Sequence, residues 1–227
     1  MWAPDRVSGV YLTPFTTLDD DDPHDHAEIV ALVEATGVAQ VITTGPDGVP
    51  AASLLPILWD GGDRLVAHAS RANPQFADLA ADAPALAVVT GPDAYVHPTW
   101  YPSTAASGRA VPTWNYLAVH LSGTVRLHRD PEWLLAAVTR LSERHAPGHL
   151  PSWTLAEAPG EYVRGLLHGI IGVELTVNRV EGKAKLSGNR VDADRLGVAR
   201  ELAREGAPGA VGVAREMARR LTRPSGG

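Results

Sequence analysis

Three β-rich runs separated by two very short turns constrain this chain more than any other feature. VAQVITT (38–44) is rich in β-branched residues, PDG (46–48) is a turn signal, and VPAASLLPILW (49–59) is a second extended run. DGGD (60–63) then turns the chain into RLVAHAS (64–70). Connections this short join antiparallel neighbours, because a parallel pair needs a crossover of a dozen or more residues. The segment is therefore read as an antiparallel meander.

Further strands are expected at LAVVTG (86–91), NYLAVHLSGTVRLH (115–128) and GIIGVELTVNRVEG (169–182). A helix is expected at about 25–35, with Ile29, Leu32 and Val33 as its apolar stripe and Asp25 as its cap. Asn73-Pro74 opens a short helix reaching Leu79. Asp130-Pro131 starts another, in which Leu134, Val138 and Leu141 recur at helical spacing. A short helix near 160–168 and an Arg-rich helical tail from Asp192, broken at Gly206 to Gly209, complete the pattern. The Pro-rich stretch from Val96 to Pro112 reads as loop. Six strands in mostly hairpin order, with helices at the flanks, give an α+β fold built on an antiparallel β-barrel, since closure removes exposed sheet edges. Residues 1–190 are assigned to the barrel with inserted helices, and 191–227 to a helical tail packed on it.

Composition narrows the function classes. The 227 residues, 44% hydrophobic, suffice for one sizeable core. A net charge of −6 gives no support to a surface that grips nucleic acid through its phosphates. The absence of cysteine excludes disulfides, thiolate catalysis and Cys-ligated zinc. No apolar run has the length of a membrane span, and the opening residues lack the layout of a secretory signal, so a cytoplasmic protein is expected. The G-x-S-x-G, H-E-x-x-H and G-x-x-x-x-G-K-[ST] motifs are missing. HDHAE (24–28) has poor metal-ligand spacing on a helix.

Three clusters carry candidate chemistry. Ser70, Arg71 and Asn73 lie where a strand ends and a helix begins, and Arg offers a donor fork suited to phosphate or carboxylate. The competing reading is an Asn cap beside a surface Arg. His68, two residues earlier on the strand, faces the same side as Ser70, as a ligand or as a satisfied structural histidine. Trp100, Tyr101, Trp114 and Tyr116 gather around irregular backbone, where aromatics wall a planar ring or bury a dimer contact. In EGKAKLSGNR (181–190), Lys183 and Lys185 share a side if extended, followed by Ser187, Asn189 and Arg190. Such a run is either a solvated face or a binding edge, and Gly182 and Gly188 suggest a close backbone approach.

These clusters, in this order, resemble the PaiB family of FMN-binding negative transcriptional regulators. The strings that carry the resemblance are VYLTPF, RANPQF, GPDAYVHPTWYPS, GRAVPTWNYLAVHLSG and GKAKLSGNR. The resemblance implies a homodimeric FMN-binding split barrel with the cofactor shared between subunits, and a regulatory or minor oxidoreductase role with a small-molecule substrate. It implies that Ser70, Arg71 and Asn73 hold the phosphate, that Trp100, Trp114 and Tyr116 wall the ring, and that Lys183, Lys185 and Asn189 line the opposite rim. A related branch, similar to haem-dependent piperazate synthases, places the axial ligand of haem b at His68 and implies N–N bond formation. A third possibility is a cofactor-free interaction protein on the same fold. The chain departs from the family pattern at His97 and Thr99, where serines are usual, at Ala184, where Trp is usual, and at Gly188, where Gln is usual. Ala184 is expected to free space beside the lysines.

Overall fold

The computed structural model describes residues 10–149 and 153–222, with the side chains of 106 and 107 left aside. The last five residues of the expected tail lie outside the described residues. In order the elements are β1 (Thr17–Leu18), α1 (Pro23–Thr36), β2 (Val38–Thr44), β3 (Pro50–Leu58), β4 (Arg64–Ser70), β5 (Ala83–Val96), α2 (Pro102–Ser107), β6 (Thr113–His128), α3 (Pro131–His145), α4 (Gly160–Leu167), β7 (Ile170–Lys185), α5 (Asp192–Glu205) and α6 (Pro208–Leu221).

Six strands close a ring, β7-β4-β3-β2-β5-β6 and back to β7, and β1 adds to the far end of β7. This is the antiparallel barrel with flanking helices expected from the hairpin order. The chain divides into two compact units. The ring unit comprises 20–89 and 119–180; the terminal unit comprises the described residues up to 19, 90–118 and those from 181 onward. The tail helices α5 and α6 belong to the terminal unit together with these other segments.

In the ring unit the meander is registered by pairs such as Gln40↔Leu54 on β2–β3 and Val66↔Glu174 on β4–β7. Alternation decides the faces: Leu65, Ala67 and Ala69 are buried in the core, while Val66, His68 and Ser70 share the opposite face of β4. Helix α3 packs on β3 and β4. Its indole Trp133 lies on the backbone of β7, where a Cβ at Gly172 would sit 2.1 Å from the ring. Leu134 of α3 joins Val163 and Leu167 of α4 in a small apolar cluster.

Several boundaries differ from expectation for local reasons. Helix α1 is capped by Asp22, which accepts from the backbone of His24 and Asp25, with Pro23 in its first turn. Asp25 sits in that first turn, where a negative charge suits the helix dipole. The helix expected to reach Leu79 is a single 3-10 turn, Pro74–Phe76. Strand β5 runs on to Val96 through Gly91-Pro92; its registered pairing with β2 ends at Val88, so Pro92 removes no bond from that ladder. The Pro-rich stretch holds a 3-10 turn at Pro98–Trp100 and helix α2, both with proline in the first turn, where its missing N–H costs nothing.

In the terminal unit, α5 and α6 form a hairpin around Gly206, which takes a left-handed conformation at φ 71°. Val198 and Leu202 of α5 and Val213 and Met217 of α6 are fully buried. None of the described helices is long and apolar enough to cross a membrane.

Candidate functional site

The sequence-predicted residues fall in both units. His68, Ser70, Arg71 and Asn73 lie in the ring unit; Trp100, Trp114, Tyr116, Lys183, Lys185 and Asn189 lie in the terminal unit.

In the ring unit, β4 delivers Ser70 and Arg71 to its exposed end. The Arg71 guanidinium makes no hydrogen bond or ion pair among the described residues, so its donor fork is uncommitted. Asn73 is different. Its Oδ1 accepts from Gln75 N at 3.0 Å and its Nδ2 donates to Ser53 Oγ at 2.8 Å. Gln75 in turn donates to the carbonyls of Val41 and Ala51 and to Thr43. Asn73 and Gln75 therefore rivet the end of β4 to β2 and β3, which shapes the segment that presents Arg71. His68 is half-buried and lines a cavity of about 440 Å³ with Val138 and Leu141 of α3. Its Nδ1 is buried with no hydrogen-bond partner among the described residues, and burial holds its pKa below the ordinary imidazole value.

In the terminal unit, β7 ends in Lys183 and Lys185, which approach the same ring: their Nζ atoms lie 5.5 and 5.8 Å from the Tyr116 centroid. They are the chain's only lysines among its 20 cationic residues. Lys183 is 94% buried, donates to the Tyr11 carbonyl and also approaches the Tyr11 ring. Lys185 donates to Thr113 Oγ1 at 2.7 Å and to the Trp114 carbonyl. Desolvation, reinforced by Lys183 and opposed by Tyr116, lowers the Lys185 pKa. Neither ammonium has a carboxylate partner among the described residues. Two cations near one aromatic ring, with no counter-anion among the described residues, make this end of β7 electropositive.

The other aromatics form a row in which neighbouring centroids lie 6.1–6.3 Å apart: Trp114, Tyr95, His97, Trp100. Trp114 is half exposed and donates to Asp93. Asn189 is exposed. Two departures from the family pattern explain each other, since His97 caps the 3-10 turn by accepting from Thr99 N and lies 2.7 Å from Thr99 Oγ1. At Gly188 a Cβ would meet the Phe15 carbonyl oxygen at 2.6 Å, so the close approach inferred there is by the chain's own backbone. Ala184 is buried and lines neither the cavity beside His68 nor the second cavity of the ring unit, so no space freed by it is seen in either.

Sequence reasoning passed over a buried polar knot in the terminal unit. Asn115, Ser187 and Tyr101 meet there, with Arg190 stacked over the Tyr101 ring at 4.8 Å. Strand alternation could have found it: Asn115 lies between Trp114 and Tyr116 and must point to the opposite face.

The sequence profile of the family described as "Putative FMN-binding domain" matches residues 21–179. The chain is 29% identical over 197 residues to the "Protease synthase and sporulation protein PAI 2" of Bacillus subtilis, covering 86% of this chain and 92% of that protein. Among solved structures, it is similar to the FAD and heme binding protein from Mycobacterium smegmatis, with a TM-score of 0.52 and 22% identity over 74% of this chain and 75% of that one. It is also similar to the flavocytochrome Anf3 from Azotobacter vinelandii, with a TM-score of 0.51 and 18% identity over 75% of this chain and 69% of that one. At these identities the structural likeness shows a shared fold.

Proposed function

The chain belongs to the PaiB-like family of FMN-binding split barrels, and on that premise we propose that it is a flavoprotein with a regulatory or minor oxidoreductase role. The observation that carries this reading is the lysine pair on Tyr116. Two ammonium groups with no counter-anion among the described residues, beside an aromatic face, suit a planar, anionic cofactor. The free guanidinium of Arg71, with the Ser70 hydroxyl, suits its phosphate, and Asn73 positions them. Trp100, Trp114 and Tyr116 are the residues proposed for the ring, with Lys183, Lys185 and Asn189 at its rim. FMN supplies hydride or single-electron transfer when bound. The side chains bind it, orient it and hold positive charge near it.

We propose further that the protein acts as a homodimer through the outer face of β2, β3 and β5. Register places Val88, Gln40 and Leu54 in one row and Leu86, Ile42 and Ala52 in the next. Leu54 is 59% exposed, and an apolar sheet face of this kind is suited to a two-fold contact.

A second reading, a haem enzyme with His68 on the iron, is favoured by one observation. Burial pushes the His68 imidazole pKa down, which favours the neutral form a metal binds, and among the described residues its Nδ1 has no partner beside a cavity. The absorption spectrum of the purified protein separates the readings. Flavin bands in the blue and near-ultraviolet support the first, a Soret band supports the second, and a protein that takes up neither cofactor refutes both.

A further inference from the structure

The ring unit holds a second cavity, of about 740 Å³, between α3 and the sheet face it covers. Ser70, Arg71 and Asn73 do not line it. Its floor is a cross-strand row, Leu58–Val66–Glu174, set by the β3–β4 and β4–β7 registers. Trp59 and Trp133 contribute aromatic surface and Arg140 of α3 also lines it.

Glu174 is out of place in this row. It is a carboxylate, 91% buried, directly across from Val66, and no hydrogen bond reaches it among the described residues. Its nearest cation donor is His128 Nε2 at 3.7 Å, beyond hydrogen-bond reach, and that nitrogen is itself buried without a partner. His128 itself lies in a flat stack on Trp133, with centroids 4.0 Å apart and planes 4° from parallel. Trp133 is in turn seated on Gly172. What exposure the Glu174 side chain keeps, 12%, leaves it open to the cavity, where a carboxylate with no hydrogen bond from the described residues is a partner for a cation.

The remaining lining charges do not supply one. Arg144 pairs with Glu34 at 3.4 Å, Arg64 lies 3.9 Å from Asp63, and Asp60 accepts from Gly62 N. That leaves Asp60, Glu143 and Glu174 against Arg140. A metal ion would need several hard ligands, and no group of three metal-ligating side chains gathers among the described residues.

We propose that this cavity is a small-molecule site for an organic ammonium ion. The ammonium pairs with Glu174, and the hydrocarbon or aromatic body lies against the parts of Trp59 and Trp133 that line the cavity, whose apolar surface suits such a carrier.

The test is calorimetric titration of the full chain with benzylammonium, benzyl alcohol and benzoate, followed in parallel by tryptophan fluorescence. Benzylammonium is expected to bind at least about tenfold more tightly than either control. Glu174→Gln should abolish that preference. Ala136→Trp, at an exposed α3 position lining the cavity, should block binding while the fold survives, and carries the test if Glu174→Gln fails to fold. Equal affinity for amine and alcohol, an unchanged preference in Glu174→Gln, unchanged binding in Ala136→Trp, or no binding at about 10 mM benzylammonium overturns the proposal. Flavin uptake, measured separately, should be unaltered in Ala136→Trp.

Discussion

Asn115 and Ser187, 72 positions apart, hydrogen-bond each other twice: Asn115 Nδ2 donates to Ser187 Oγ at 3.1 Å, and Ser187 Oγ lies 3.3 Å from Asn115 Oδ1. Both are buried, and Ser187 holds a left-handed backbone at φ 58°. With Tyr101 and Arg190 they bring together three of the sequence strings that carry the family resemblance. Those strings therefore specify an internal fastening.

Asn115→Ala should destabilise the protein by roughly 1–3 kcal/mol, because it strands the Ser187 hydroxyl away from water. Urea unfolding of Asn115→Ala, Ser187→Ala and the double variant checks this. The pair should be less than additive, and fully additive losses would show that the two residues act independently.

Lys183→Met and Lys185→Met should each weaken FMN binding and make its reduction potential more negative, since each removes a positive charge that favours the reduced, more anionic flavin. Fluorescence titration and spectroelectrochemistry measure the two effects. An unchanged potential in both variants would place the flavin elsewhere.

Arg71→Ala should reduce FMN affinity by roughly 1.5–3 kcal/mol, the usual range for hydrogen bonds to a charged group. Arg164→Ala, on the exposed surface of α4 beside Glu161, serves as the control and should change little. Equal losses in the two variants would argue against a phosphate at Arg71.

His68 gives a pH signature with a definite sign. Its pKa is lowered on folding, so between the folded value and the ordinary value of about 6.5 the unfolded chain binds more protons. Stability from this group is complete above about pH 6.5 and falls as pH drops through that window toward the folded pKa. Replacing it with Gln should flatten this part of the stability–pH curve, measured by denaturant titration. If the protein carries haem, His68→Ala should also remove the Soret band, whereas flavin uptake should fall by no more than about 1.5 kcal/mol.

Leu54→Lys should separate the proposed dimer, because a charge would enter the centre of an apolar sheet face. Light scattering at micromolar concentration is the check. A native protein that is already monomeric would end the shared-site version of the flavin proposal. An intact dimer in Leu54→Lys would move the interface to another face.

Much of the architecture was readable from the sequence because its causes are local. Thr44 to Arg64 turns twice through Pro, Asp and Gly, and the observed strands β2 and β4 match the β-rich runs to the residue. Asp130-Pro131 starts α3, and Gly206 separates α5 from α6 for equally local reasons. What these residues face depends on segments far away in the chain, and only the tertiary structure decided it. Gly188 faces Phe15, Asn73 is spent on Ser53 and Gln75, and Glu174 is buried beneath α3. Turn chemistry and strand propensity act between neighbours in sequence. Burial, hydrogen-bond satisfaction and electrostatic isolation arise from long-range packing, which brings together residues that no local pattern connects.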